Sequence, residues 1–172
     1  MPIAVVIALG TLAAVVAVMA GEAVLSAVNA SLLRARGAVE PPGDVYQTIR
    51  WAYPAAFVLM AGEGALVGPS PLAALALGLG VFGLAKALKA WAIATLGTRW
   101  SFRVLVPPGE PPIVAGPYRL MNHPNYVAVG GEILGVALIV GAPVTGVISL
   151  VGFGWLMRRR MAIEDRALGR RG

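Results

Sequence analysis

Long apolar runs broken by short polar clusters organise this 172-residue chain, with no alternating pattern of the kind a half-buried strand produces. The first run, Ile3–Val28, carries one charge, Glu22, near its end. A second, Trp51–Val67, stops at the Gly68-Pro69-Ser70-Pro71 turn. A third, Leu72–Leu96, holds Lys86 and Lys89 in its later half. A helix that crosses a bilayer core of about 30 Å needs roughly 20 apolar residues, so each run predicts a membrane-spanning helix. The stretch from Asn125 to Met157 would measure about 50 Å as one helix, too long for the same bilayer. Gly141-Ala142-Pro143 divides it into spans over 125–141 and 143–157. The N-terminal run has no basic residue before it and is too long for a signal-peptide core, so it reads as a retained helix. The pattern predicts an all-α integral membrane protein of about five transmembrane helices, folded as a single domain over residues 1–172.

Composition agrees. Hydrophobic residues make up 58% of the chain and charged residues 13%, against about 25% charged in soluble domains. The absence of cysteine excludes disulfides, thiolate metal sites and cysteine nucleophiles, and with one histidine no metal site is expected. The net charge of +6 suits anionic lipid head groups rather than nucleic acid. All 14 lysines and arginines fall on or near three segments: the loop after the first span, the region around the loop after the third, and the C-terminus. The turns at 68–71 and 141–143 carry none. Cytoplasmic loops are enriched in Lys and Arg, so the pattern predicts five spans with the N-terminus outside and the C-terminus cytoplasmic.

Candidate chemistry concentrates on that cytoplasmic side, over about 97–124 and 158–168. The stretch GPYRLMNHPNYVAVGGE, Gly116–Glu132, contains the single histidine. His123 precedes Pro124, which pushes it out of the helical region and sets the proline in the first turn of span four. His123 then lies beside a helix N-terminus, where free N–H groups attract anions. Trp100–Pro117, with five prolines and the β-leaning patches Val104-Leu105-Val106 and Ile113-Val114, reads as a loop or hairpin on the membrane surface. RRRMAIEDRAL continues span five past the interface and sets Arg160 and Glu164 on one helical face.

Glu22 and Glu132 are ionisable groups inside spans and are functional candidates for that reason. Glu132 lies roughly 12 Å along the helix from Pro124. Glu22 is expected to pair with Arg34 or with a lysine of the bundle. Lys86 and Lys89 are expected to snorkel to the cytoplasmic surface. Trp51, Trp91, Trp100 and Trp155 read as an aromatic belt, and Gly131-x-x-x-Gly135 as a close-packing face, with the oligomeric state left open. On the residues alone, His123 equally suits an interfacial helix cap, and Glu164 and Asp165 a solvated juxtamembrane helix.

HPNY at His123–Tyr126, GPYR at Gly116–Arg119 and Arg160-x-x-x-Glu164-Asp165 resemble the isoprenylcysteine carboxyl methyltransferase family, whose wider group includes phospholipid methyltransferases. That family's pattern is GPYR..RHPxY followed, one helical hairpin later, by RxxxEE. Glu22 through Asn29 to ARGAVE, LGTRWSFRVLVPPGEPP and HPNYVAVGGE extend the resemblance toward a bacterial branch linked to methylation of alkylresorcinols and alkylpyrones. Asn122 stands where the family has arginine before the HP pair, and Asp165 where it has a second glutamate.

The resemblance implies S-adenosylmethionine as methyl donor, bound on the cytoplasmic side of a prokaryotic plasma membrane without a Rossmann domain. No strand-GxGxxG-helix unit is present in the sequence. Gly116, Tyr118, Arg119, His123, Pro124, Tyr126, Glu164 and Asp165 are the implied donor-binding residues. His123 with the helix N-terminus suits the donor's carboxylate, Glu164 its ammonium, and Tyr118 and Tyr126 its adenine or sulfonium. Glu132 and Arg160 are the implied catalytic pair, Glu132 as the base if the acceptor is a phenol or enol; a carboxylate acceptor needs none. The expected partner is a lipophilic isoprenoid or long-chain acceptor entering from the bilayer. The alternatives are a phospholipid N-methyltransferase and a non-enzymatic membrane scaffold or transport subunit.

Overall fold

A computed structural model describes residues 1–169. Five α-helices follow in order: α1 Ile3–Ala35, α2 Tyr46–Val67, α3 Leu72–Leu96, α4 Pro124–Val140 and α5 Pro143–Ala167. Short 3₁₀ turns occupy Gly97–Arg99 and Gly116–Arg119, and no strand forms among the described residues. Proline marks the starts: Pro71 caps α3, while Pro124 and Pro143 open α4 and α5, where a missing N–H costs nothing. Glycines mark three ends, Gly68, Gly97 and Gly141, each at a positive φ that a side chain would disfavour.

The boundaries match the apolar runs except around the first loop. There α1 continues past Val28 to Ala35, because nothing before Gly37 (φ +80°) interrupts it, and α2 starts at Tyr46 rather than Trp51. The 100–117 segment is a loop. Val106 does not pair with Ile113-Val114 as a hairpin would require; it makes an isolated antiparallel bridge to Val39 in the α1–α2 loop. Its amide reaches the Val39 carbonyl at 3.1 Å and the return bond is 3.2 Å. Two loops far apart in sequence are thereby stapled together.

Helix α4 is the centre of the bundle, with Ala128, Ile133 and Val136 buried, and it packs closely along α3. Small residues permit that approach: a Cβ on Gly135 would stand 2.8 Å from both the Phe82 backbone nitrogen and Phe82 Cβ, and one on Gly78 would stand 2.8 Å from the Gly135 carbonyl. The outer surface is apolar, with Leu9, Val24, Leu77, Leu84, Ile148 and Val151 all exposed, while Glu22, Asn29, Lys89, Glu132 and Arg160 are buried. Buried charges beneath an outer shell of exposed leucine and valine are consistent with a membrane protein. Two helical stretches, Ile3–Ala35 and Leu72–Arg99, are long and apolar enough to cross a membrane.

At one end of the bundle the α2–α3 and α4–α5 turns meet, where Ser70 Oγ donates to the Leu138 carbonyl at 2.7 Å. At the other end lie the stapled loops and the salt bridge between Arg103 and Glu40, at 3.0 Å. Gly135→Ala should lower stability by about 1–3 kcal/mol, since the Phe82 backbone has to move. Gly80→Ala, with open space around it, should be neutral or gain up to about 1 kcal/mol from helix propensity. Thermal unfolding of the two variants in detergent reads the difference.

Candidate functional site

A cleft opens between α2, α4 and α5 at the end that carries the stapled loops. One helical face of each element supplies a wall, through residues three or four apart: Tyr46, Ile49 and Tyr53 from α2; Tyr126 and Val129 from α4; Phe153, Met157, Arg160 and Glu164 from α5. Trp100, Phe102, Tyr118, Asn122 and His123 close it from the loops, and Met19 and Lys89 reach it from α1 and α3. Its middle is apolar and both ends are polar.

The outer end is built around His123. The residue takes a non-helical conformation (φ −131°, ψ 59°) as the N-cap of α4, which aims its ring at α5. Nε2 lies 3.1 Å from each carboxylate oxygen of Asp165, and Nδ1 lies 3.6 Å from Glu164 Oε2. Tyr126, one turn into α4, stacks on the imidazole at 5.4 Å and donates its hydroxyl to Glu164 at 2.7 Å. Partial burial alone would lower the His123 pKa, but hydrogen bonds and charge from Glu164 and Asp165 outweigh it and raise it above the usual value. Burial alone would raise the Glu164 pKa; hydrogen bonds from His123 and Tyr126, with the His123 and Arg160 charges, bring it below the usual value. The cluster therefore sets the His123 ring between two acidic side chains that favour its protonated form.

Beside it, buried Arg160 donates to the Phe102 carbonyl and lies 3.7 Å from Asp44 Oδ2. Several buried atoms here have no hydrogen-bond partner: both Asp44 carboxylate oxygens, Asn125 Oδ1 and Arg160 Nε. Leaving such groups unmade costs about 1–3 kcal/mol each, so the region is arranged for a polar guest. Asn29 on α1 holds the loop from behind, donating to the Trp100 carbonyl at 2.9 Å, and Ser26 Oγ accepts the Phe102 amide at 2.8 Å.

The inner end is a buried charge cluster. Lys86 Nζ lies 2.9 Å from Glu22 Oε1 and 2.8 Å from Glu132 Oε1. Lys89 Nζ lies 2.7 Å from Glu22 Oε2 and 3.2 Å from Glu132 Oε1. Tyr53 donates its hydroxyl to Glu132 Oε2. The lysines therefore do not snorkel: Lys89 is 2% exposed and both amines turn inward, because two carboxylates in the bundle offer more than the interface does. Glu22 takes the lysines as partners, while Arg34 pairs with Glu40. Trp100 also departs from the expected belt. It is buried against Phe102 at 5.3 Å, edge to face, while Trp51, Trp91 and Trp155 are exposed.

Of the residues singled out in the sequence, Tyr118, His123, Tyr126, Arg160 and Glu164 line the cleft together. Asp165 backs His123. Pro124 is buried as the first residue of α4, and Gly116 (φ +52°) lies where a Cβ would stand 2.3 Å from Thr95 Oγ1. Arg119 is exposed and outside the cleft wall, and Glu132 sits behind Tyr53 and Lys89 rather than on it. Sequence reasoning missed Asp44, Tyr53, Phe102 and Asn125. Only Asn125, inside HPNY, carried a local signal; the others come from segments whose placement depends on tertiary packing.

The raised His123 pKa has a sign that can be checked. Its stabilising contribution is fully present below the unfolded value of about 6.5 and is lost as pH rises through the higher folded value. The lowered Glu164 value keeps that carboxylate ionised throughout this range. The melting-temperature gap between wild type and His123→Gln should therefore narrow as pH is raised from about 6 to about 9.

Comparison with known proteins places the chain. The isoprenylcysteine carboxyl methyltransferase (ICMT) family profile matches residues 76–170, which include α4 and α5, two of the three helices that form the cleft. The uncharacterized protein YpbQ of Bacillus subtilis (strain 168) is 31% identical over 150 residues, covering 87% of this chain and 89% of that protein. No solved structure matches. The family suggests methyl transfer from S-adenosylmethionine to a lipophilic acceptor at a membrane, and it agrees with the apolar exterior in marking a membrane protein. The chain belongs to the isoprenylcysteine carboxyl methyltransferase family.

Proposed function

We propose that the cleft is a methyltransferase site that takes S-adenosylmethionine at its outer end and methylates an oxygen of an isoprenoid or long-chain acceptor. The observation that carries this reading is the outer cluster itself: His123 set between Glu164 and Asp165, beside buried polar atoms without hydrogen-bond partners, at the mouth of an apolar cleft. The donor's amino-acid head fits that chemistry. Its carboxylate suits protonated His123 and the α4 N-terminus, and its ammonium suits Glu164. Tyr118 and Tyr126 offer ring faces for the adenine and sulfonium. Pro124 and Gly116 shape the wall, Asp165 holds His123, and Arg119 contributes positive charge at the rim.

The donor supplies an activated methyl group, and the chain's own work is positioning and exclusion of water. Met157, Phe153, Ile49 and Val129 give an acyl or prenyl chain an apolar bed. Arg160 reaches the cleft to steady the acceptor oxygen, and Glu132 is the proton acceptor available deeper in the bundle. Calorimetric titration with S-adenosylmethionine tests the donor site. His123→Ala and Glu164→Gln should each weaken binding roughly ten- to a hundredfold, the equivalent of a charge-assisted hydrogen bond of about 1.5–3 kcal/mol. Saturable wild-type binding that neither variant alters would move the donor elsewhere.

We also propose five spans, with the cleft facing the cytoplasm of a prokaryotic plasma membrane. The two turns without basic residues share one end of the bundle, and the Lys/Arg-bearing loops share the other. The cysteine-free sequence makes a direct test simple. In intact cells a membrane-impermeant maleimide should label Pro69→Cys, and it should label Arg36→Cys only after permeabilisation. The reverse result would invert the orientation.

A further inference from the structure

Asp44, in the loop before α2, is a buried acid with no evident structural duty. Its side chain is 4% exposed, yet neither carboxylate oxygen accepts a hydrogen bond. An acid just ahead of a helix commonly caps the free N–H groups there, but α2 begins at Tyr46 without a side-chain cap. Among the described residues Arg160 is the one cation within 4 Å, at 3.7 Å from Oδ2, and it is shared. Its guanidinium donates to the Phe102 carbonyl, and its charge also acts on Glu164. One positive charge therefore serves two carboxylates. The other cations that line the cleft are engaged elsewhere: Lys89 with Glu22 and Glu132, Arg50 over the Trp51 ring at 5.3 Å, and His123 between Glu164 and Asp165. An incompletely paired carboxylate is costly to bury, and a cationic guest lowers that cost. The guest's space is near, because the Asp44 charge acts on the hydroxyl of Tyr126, which lines the cleft.

We infer that Asp44 makes the cleft select the charged methyl donor over its demethylated product. This rests on the methyltransferase reading of the cleft. S-adenosylmethionine carries a sulfonium, an ammonium and a carboxylate, and so a single net positive charge. When the acceptor oxygen bonds to the methyl carbon, the carbon–sulfur bond breaks and its electron pair stays on sulfur. The sulfonium becomes a neutral thioether, and S-adenosylhomocysteine has no net charge. The amino-acid head is common to both molecules, so His123 and Glu164 hold it alike. Apart from the methyl group, only the charge at sulfur differs. A residue that tells the two apart by charge acts through space and need not touch the ligand. Asp44 meets that description: it stands off the cleft wall, beside Arg160 and within electrostatic reach of Tyr126. Two unit charges about 6–10 Å apart, at an effective dielectric of about 20, change an affinity roughly ten- to a hundredfold. Methyl transfer removes the charge that offsets Asp44, which favours release of the product. Asp44 lies outside residues 76–170, the segment matched by the family profile, so the device belongs to the first loop of this chain.

The test is calorimetry on the full-length protein in detergent with three ligands: S-adenosylmethionine, S-adenosylhomocysteine and sinefungin, which replaces the sulfonium by a carbon bearing an ammonium group. Wild type should bind the two charged ligands about tenfold or more tighter than S-adenosylhomocysteine. Asp44→Asn keeps the shape and removes the charge. It should weaken both charged ligands by about tenfold or more and leave S-adenosylhomocysteine within about twofold, so that the preference disappears. Asp44→Glu keeps the charge and should retain the preference. A residue that only braces Arg160 would change all three affinities by the same factor, and that result overturns the inference. So does a wild type that binds S-adenosylhomocysteine as tightly as the charged ligands, a result that needs no variant to fold. A preference that Asp44→Asn leaves intact overturns it as well. None of these outcomes touches the methyltransferase reading, whereas a folded wild type that binds none of the three overturns both.

Discussion

Two acidic and two basic side chains, buried together in a bundle whose exterior is apolar, tie four of the five helices to one another. Glu22, Lys86, Lys89 and Glu132 come from α1, α3 and α4, and Tyr53 adds α2. Apolar surface gives helices in lipid little reason to associate in one register, because lipid tails are as apolar as leucine. A charge in that medium has no such freedom. Stranding any one of the four would leave its partners uncompensated in a low dielectric, so the bundle has strong reason to close with all of them in contact. The glycines of α3 and α4 serve the same end, bringing the backbones close enough for short ion pairs.

The outer cluster is organised by different means. His123 is held by backbone geometry: a pre-proline residue at a helix N-terminus, delivered by a proline-rich loop that Val39, Asn29 and Ser26 fasten to the rest of the chain. Its partners come from α5, which continues beyond the apolar run and so brings Arg160, Glu164 and Asp165 to the same level. The two polar ends of the cleft thus answer different needs. The inner one is locked by mutual neutralisation, whereas the outer one keeps polar atoms of Asp44, Asn125 and Arg160 in reserve.

How much of this was legible in the chain depends on whether a feature was local. Helix count and most boundaries followed from apolar runs bounded by Pro and Gly, since proline and glycine act on the residues beside them. The juxtaposition of His123, Tyr126, Arg160 and Glu164 followed from two short motifs separated by one helical hairpin. The failures were all non-local. Snorkelling of Lys86 and Lys89 was the natural expectation for lysines late in a span, and it failed because carboxylates from two other helices were nearer than the interface. The loop over 100–117 looked able to form its own hairpin, but the α1–α2 loop offered Val106 a partner first. Asp44 and Tyr53 stand in segments with no motif, and their importance is set by what faces them.

Under the proposed function, the distribution of charge would let a small bundle take both a water-soluble donor and a lipid-soluble acceptor. In that reading the donor's ionic groups fit at the level of the loops, where His123 and Glu164 are only partly buried. The acceptor's chain asks only for apolar surface, which α2, α4 and α5 provide below that level. In that reading the reacting oxygen sits where the two regimes meet. Tyr53 and Lys89 are the polar groups that face the cleft from its inner side at that depth. A carboxylate placed openly there would attract water and expose the activated methyl to it. Set behind Tyr53 and paired with two lysines, Glu132 keeps its charge off the cleft wall.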